Sequence, residues 1–333
     1  AKGPKFQGRS NKLVVFLFVA SCFIWVPLTT QAAQDKNIIA SYYAGARFFE
    51  LKTVQKMDGA ELSACVNKPC ILADDEGYNC EWSTELTVPD AMGEYIKAWF
   101  ILHVIAKEFG LGAQDGFQFN ISVGYDLAGI KGDKVNTFID GMMEAKDTVI
   151  FQECRKWLLD NADKFQNFTR EDIEAIPSNV CNSATISTLH GCPPQEIESI
   201  ANYLLTEKHL NTFVKCNPTL LGYDFARKTM DEMGYDYMVF GDFHFRDDLQ
   251  YEDAVPMLTR LMKLSEELGL EFGVKITNTF PVDVTRNELP SEEMYMSGKA
   301  LFPLSISLAA KLSAEFAGKL RISYSGGADY FNI

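Results

Sequence analysis

The chain lacks most features that would place it among nucleic-acid binders, disulfide-held secreted domains or dinucleotide-binding sheets. Its 31 Lys and Arg stand against 45 Asp and Glu, a formal net charge of −14, whereas neutralising phosphates takes a basic surface. No CxxC pair occurs. The eight cysteines (22, 65, 70, 80, 154, 181, 192 and 216) are far too sparse for a small disulfide scaffold and read as mostly reduced thiols of a cytoplasmic protein. The trio Cys65, Cys70 and Cys80 has none of the paired spacing of zinc or iron–sulfur sites. No GxGxxG follows the first strand-like run, which weighs against a Rossmann sheet. After residue 35 no low-complexity or Pro/Ser-rich stretch marks a domain boundary.

With 333 residues, 47% hydrophobic and 23% charged, the chain can bury the core of one large domain. The N-terminus reads differently from the rest. Lys2, Lys5, Arg9 and Lys12 precede "LVVFLFVASCFIWVPL", and "TTQAAQ" follows. That is the layout of a secretory signal, somewhat short for a spanning helix. The competing reading is a buried first strand, or a segment foreign to the native protein.

Beyond residue 35 strand-like runs appear at 46–54, 116–124, 183–189, 211–217, 270–279 and 320–326, with amphipathic helical stretches between them. Near-continuous apolar strands alternating with helices predict a parallel sheet covered by helices, and favour a (β/α)8 barrel. The polar stretch from Lys56 to Asp90 is expected to be a long loop, a candidate lid or insertion.

Three apolar runs carry a lysine near their C-terminal ends: Lys52, Lys215 and Lys275. A buried ammonium is costly unless something anionic or strongly polar meets it, and in a parallel barrel those strand ends form the active-site face. One such lysine is explained by snorkelling to solvent; three are not. Asn120 and Ser122, the Thr277–Thr279 turn, and the Gly326–Gly327 pair add polar groups and backbone N–H donors of the kind that cradle phosphate. An anionic cofactor across the strand ends is therefore expected.

The motifs "FFELKTVQ", "FNISVGYDLAGIK", "STLHGCPPQEIE", "NTFVKCNPTLLGY", "FGVKITNT", "EEMYMSGKALFPLSI" and "ISYSGGA" together resemble the N-terminal flavin-type barrel of the selenate reductase iron–sulfur flavoprotein subunit family. That barrel is similar in turn to the FMN domains of dihydropyrimidine and dihydroorotate dehydrogenases. The resemblance covers residues 31–333 and implies FMN at the C-terminal face of a TIM barrel, in an FMN-dependent oxidoreductase acting on a small organic substrate. By resemblance, Lys52, Thr53, Asn120, Lys215, Gly326 and Gly327 bind the cofactor, and Asn278 and Thr279 meet the substrate. Cys192 then falls at the catalytic acid.

The chain departs from the pattern in three places. Leu189 stands where the dehydrogenases usually carry a substrate-contacting Asn, which puts a pyrimidine substrate in doubt. Residues 1–30 match nothing in the family, which favours a misread start over an export signal. A cytoplasmic location follows, with export or anchoring through residues 13–28 as the alternative. The chain stops after the seventh strand motif, so a truncated barrel is expected. Its eighth strand, and the electron-transfer regions holding iron–sulfur clusters, FAD and NAD(P)H, would then lie downstream.

Neither nucleic acid nor membrane is an expected partner unless the N-terminal segment is native. Two other classes stay open: a Schiff-base lyase, because barrel lysines also serve aldolases, and a non-catalytic electron-relay or assembly module. For Cys192 the order is proton donor, inert buried thiol, then metal ligand paired with His190.

Overall fold

The structure, a computed structural model, describes residues 34–58, 70–73, 76–79, 86–187, 190–329 and 331–332. The expectations for residues 1–30, Cys22, Cys65, Cys80 and Leu189 fall outside these residues.

The elements run in chain order α1 (Gln34–Tyr43), β1 (Phe48–Glu50), β2 (Cys70–Ala73), β3 (Glu76–Asn79), α2 (Val88–Glu108), β4 (Gln118–Gly124), α3 (Leu127–Lys131), α4 (Asp133–Met143) and α5 (Val149–Asp160). They continue with α6 (Arg170–Glu174), β5 (Cys181–Ser187), α7 (Pro194–Thr206), β6 (Asn211–Cys216), α8 (Tyr223–Glu232), α9 (Phe243–Asp247) and α10 (Tyr251–Leu268). The last are β7 (Phe272–Ile276), β8 (Phe280–Asp283), β9 (Glu293–Gly298), α11 (Phe302–Glu315) and β10 (Arg321–Tyr324).

All six strand-like runs are strands, and they form one sheet in the order β1-β4-β5-β6-β7-β10. Pairing is parallel in β1–β4, β5–β6, β6–β7 and β7–β10. The fold is thus α/β with helices between parallel strands, as the alternating pattern predicts. Among the described residues no helix is long and apolar enough to cross a membrane.

The chain divides into two compact units. The first comprises Ala1–Leu51, Glu85–Asn120 and Asn136–Asn182. Its centre is α2, capped by the Thr87 hydroxyl, which accepts from the Asp90 N–H at 3.2 Å. The helix is buried on most of its circumference, as its apolar sequence requires. Trp99 packs edge-on against Phe117 and Phe119, with centroids 5.0 and 5.3 Å away. Its other end is held by Glu108, whose carboxylate accepts backbone N–H bonds from Gln166, Asn167 and Phe168 at 2.8–3.1 Å.

The second unit comprises Lys52–Thr84, Ile121–Val135 and Ser183–Ile333. It carries β5, β6, β7 and β10 almost entire, and a separate antiparallel sheet in the order β2-β3-β9-β8. That second sheet corrects the loop expected from Lys56 to Asp90. The four-residue runs of β2 and β3 are too short to show alternation, and they become strands by pairing antiparallel with each other, β3 pairing also with β9.

Helix α7 opens at Pro194, whose fixed φ suits a first helical position. Helix α10 ends at Gly269 in the left-handed conformation.

One buried group of the first unit makes acid stability testable. Burial lowers the His103 pKa from 6.5 to about 4, because its imidazole lies among Trp99 and Phe117 with no room for a hydrated charge. Above pH 6.5 the ring is neutral in both states and the contribution is fully present. As pH falls from 6.5 towards 4 the unfolded chain takes up a proton that the native state refuses, and stability drops by ~3 kcal/mol in all. His103→Leu should flatten this segment of the pH–stability curve measured by urea unfolding. An unchanged slope would show that the native ring is charged.

Candidate functional site

Strand alternation splits the second unit's parallel strands into two faces. Ile186, Val214, Cys216, Val274 and Ile276 are buried on one face, and helices α7, α10 and α11 pack on these strands. The register pairs Thr185 with Phe213, Phe213 with Gly273, Lys215 with Lys275, and Lys275 with Ser323. The other face therefore carries a polar row near the C-terminal strand ends. Lys215 and Lys275 are direct neighbours in it, both half-buried, and Lys215 Nζ donates to Ser187 Oγ at 3.4 Å. Sequence reading named each lysine separately; the register places two side by side.

Cys154, Cys181 and Cys216 are buried, and Cys192 has partial solvent access. Burial pushes the thiols of Cys154 and Cys216 up to about 12, which leaves them inert. Cys192 stands two residues before α7 and opens into a small cleft with Lys215, Asn217, Asp248, Ile197 and Leu249. The expected acid and the expected cofactor lysine thus share one cleft.

Asp248, absent from the sequence-derived set, organises the floor of this cleft. It follows α9, is only 4% exposed, and gathers donors from two strand-end loops. From the loop after β5, His190 Nδ1 donates to Oδ2 at 2.8 Å and the Gly191 N–H to Oδ1 at 2.7 Å. From the loop after β6, Asn217 Nδ2 and Thr219 Oγ1 donate to Oδ2 at 3.0 and 2.7 Å. Burial alone would raise this carboxyl, but the bonds from His190, Thr219 and Gly191 hold it below the usual carboxylate range.

His190 also stacks on Tyr295, with centroids 5.7 Å apart and planes 7° apart, and meets His244 edge-on at 5.2 Å. His244 Nε2 in turn lies 2.8 Å from Glu293 Oε1. Only His190 carried a sequence signal, through its spacing to Cys192. His244, Asp248 and Glu293 lie 54, 58 and 103 positions further along the chain, where spacing says nothing.

The remaining expected residues fall as follows. Lys52 and Thr53 are half-buried beyond β1, and Thr53 Oγ1 bonds Ser122 Oγ at 2.7 Å. Asn120 is buried on β4 in the first unit. Asn278 is buried, its backbone N–H donates to Cys216 O at 2.8 Å, and its side-chain oxygen accepts from the Thr279 N–H at 3.0 Å. The Thr277–Thr279 turn is thereby tied to the end of β6, beside Lys215.

Gly326 and Gly327 both have positive φ, +119° and +77°. A Cβ on Gly326 would overlap Ser305 Oγ, and one on Gly327 would lie 2.8 Å from Phe302 N at the start of α11. The pair is required by close packing onto that helix start, whether or not a phosphate lies there.

Comparison with known proteins places this geometry in a family context. Residues 27–333 match the family described as "Oxidoreductase YgfK, N-terminal TIM-barrel domain". The chain is similar to "Putative oxidoreductase YgfK" of Escherichia coli (strain K12), 49% identical over 316 residues that cover 91% of this chain and 30% of that protein. The protein of the same name from Escherichia coli O157:H7 matches with the same figures. The chain thus spans 30% of the length of these relatives. Their names give an oxidoreductase and a TIM barrel, and do not mention selenate.

The Asp248 network yields a stability test. Asp248→Ala leaves four donors, one buried and three part-buried, without their acceptor and should lower the unfolding free energy by ~3 kcal/mol. Asp236→Ala, at an exposed loop position, should change it by less than ~0.5 kcal/mol. Equal midpoints and slopes in denaturant for the two variants would remove Asp248 from its organising role.

Proposed function

This chain belongs to the YgfK oxidoreductase N-terminal TIM-barrel family, and from that premise we propose that it is the FMN-binding barrel of a flavin-dependent oxidoreductase. The observation that carries this reading is the cleft in which Cys192 and Lys215 meet, with Lys275 beside Lys215 in strand register.

The residues fit the group by the chemistry of their donors. Two adjacent cationic side chains at parallel strand ends suit the electron-rich edge of an isoalloxazine ring or a phosphate. Lys52 and Thr53 would complete the cofactor contacts, with the Gly326–Gly327 turn at the phosphate. When bound, FMN supplies hydride exchange with one carbon of a polarised double bond.

The chain's own groups do the rest. Lys215, braced by Ser187 Oγ, offsets negative charge at the ring edge. The Cys192 thiol holds the proton for the neighbouring carbon of the substrate. Asn278 and Thr279 orient that substrate. Asp248 fixes the loop bearing Cys192 through Gly191 and His190. The substrate is a small organic molecule, and the electron-transfer partners are other regions or subunits of the whole protein.

The lysine pair also favours a second reading. A lysine beside another cation is the usual route to a nucleophilic amine, so Lys215 could instead form a Schiff base with a carbonyl substrate. Borohydride trapping with a carbonyl substrate separates the two, since only the lyase leaves a reduced covalent adduct on Lys215.

Two variants test the flavin reading. Lys215→Ala should weaken FMN binding by ~10-fold or more, the size of one charge-assisted hydrogen bond. Lys131→Ala should leave it unchanged, because Lys131 pairs with Glu207 on an exposed surface. Equal FMN affinities by fluorescence quenching would displace the assigned site.

Cys192→Ala should retain FMN yet lose ~10²-fold or more in turnover of an accepted substrate. Unchanged turnover would make the thiol a packing residue and favour an electron-relay role for the barrel.

A further inference from the structure

The histidine pair beside the cleft has no task in the flavin chemistry. Each imidazole has one ring nitrogen engaged by a carboxylate: His190 Nδ1 by Asp248 and His244 Nε2 by Glu293, both at 2.8 Å. The other nitrogen of each, His190 Nε2 and His244 Nδ1, is buried without a hydrogen-bond partner among the described residues. Buried imidazole nitrogens mostly find a donor or an acceptor; His103 Nε2 in the core of the first unit is a lone exception, whereas here two imidazoles and a carboxylate converge.

The chemistry of that occupant follows from the donor set. One ring nitrogen of His190, one of His244 and a carboxylate oxygen of Asp248 lie within 4.8 Å of one another; because Asp248 meets the Nδ1 edge of His190, an ion shared with Asp248 would take Nδ1 in place of its proton. Neither Asp248 nor Glu293 pairs with a lysine or arginine among the described residues; their ion-pair partners there are the two histidines. Asp283 faces Glu293 across β8 and β9, which adds negative charge. The cluster therefore joins two imidazoles to carboxylates that have no lysine or arginine partner among the described residues, a composition suited to a divalent cation.

Two nitrogens and one oxygen suit zinc and its neighbours in the first transition row over the oxygen-preferring magnesium and calcium. A carboxylate hydrogen-bonded to the far nitrogen of a ligating histidine is the usual second layer of such sites, and Glu293 stands in that relation to His244.

We infer that His190, His244 and Asp248 bind one divalent transition-metal ion of the zinc class, with Glu293 orienting His244. The inference goes beyond the flavin reading and does not depend on it. Three protein ligands leave a tetrahedral ion one open position, available to water or to an anionic group. The site joins the loop after β5 to α9.

Cobalt(II) is the probe. The purified protein, stripped with a chelator and titrated with cobalt(II), should bind one equivalent with a Kd below ~10 µM. It should show visible d–d bands of tetrahedral intensity and no sulfur-to-cobalt charge-transfer band. Zinc(II) should displace the cobalt.

His244→Asn, on the short helix α9, should weaken binding by ~100-fold or more. Glu293→Gln should weaken it by ~10-fold, with the far-UV spectrum and urea midpoint of each variant recorded alongside. Absence of the d–d spectrum in the wild type overturns the inference without recourse to any variant. So does wild-type affinity in a folded His244→Asn, and so does a thiolate charge-transfer band, which would put Cys192 in the ligand set.

Discussion

The Asp248 carboxylate draws hydrogen bonds from two loops that have no other reason to move together. Taking an ionised carboxylate out of water costs several kcal/mol, and the cost is offset only when its lone pairs are filled. Here three donors, from His190, Asn217 and Thr219, meet Oδ2 and one, the Gly191 N–H, meets Oδ1, which keeps a lone pair for a further partner. Through these bonds the loop after β5 and the loop after β6 are tied to the end of α9. Gly191 shows how tight the lock is: its φ is +77°, and a Cβ there would overlap Asp247 Oδ2. Cys192 follows Gly191, and Lys215 precedes Asn217 by two residues, so the two candidate reactive groups inherit their positions from this one buried charge.

The lysine row places a second constraint on the site. Directly opposed like charges on neighbouring strands destabilise a sheet. The register fixes Lys215 against Lys275. An anion lying across both would turn the repulsion into attraction. That is the physical basis for an anionic ligand at these strand ends. The surface as a whole argues the other way, with a net charge of −14. The positive charge is therefore local, carried by Lys215 and Lys275 on one face of two neighbouring strands.

The parallel strands were legible because their near-continuous apolar runs can be satisfied only by burial on both sides. Five long amphipathic helices were equally plain. The antiparallel sheet was not. Its β2 and β3 are four residues each, below the length at which alternation can be told from chance, and the pairing of β3 with β9 crosses more than two hundred residues.

For the site, residue type was informative where it violated its surroundings. A lysine in an apolar strand or a cysteine between strand and helix stands out. Asp248 does not, because "RDDLQ" looks like any solvated turn, and its burial arises from loops converging from elsewhere. His244 and Glu293 are hidden for the same reason. What local sequence cannot show is which distant polar groups a fold brings to one buried point.

Asp248 lines the Cys192–Lys215 cleft and also bonds His190 on the other side. A carboxylate in that position transmits charge between its two neighbourhoods. A cation at the histidines would draw on its negative charge and lessen what it presents to Lys215, which would strengthen the field of the lysine row on any anion in the cleft. By linkage the effect is reciprocal: an anion that engages Lys215 would free Asp248 to interact more strongly with the cation. The coupling needs no conformational change, because the hydrogen bonds that hold Asp248 also keep it between the two groups. Its size would be set by the local dielectric, which is low where the carboxylate is 4% exposed. The cleft and the histidine cluster are therefore best regarded as one electrostatic unit with two openings, joined at a single residue.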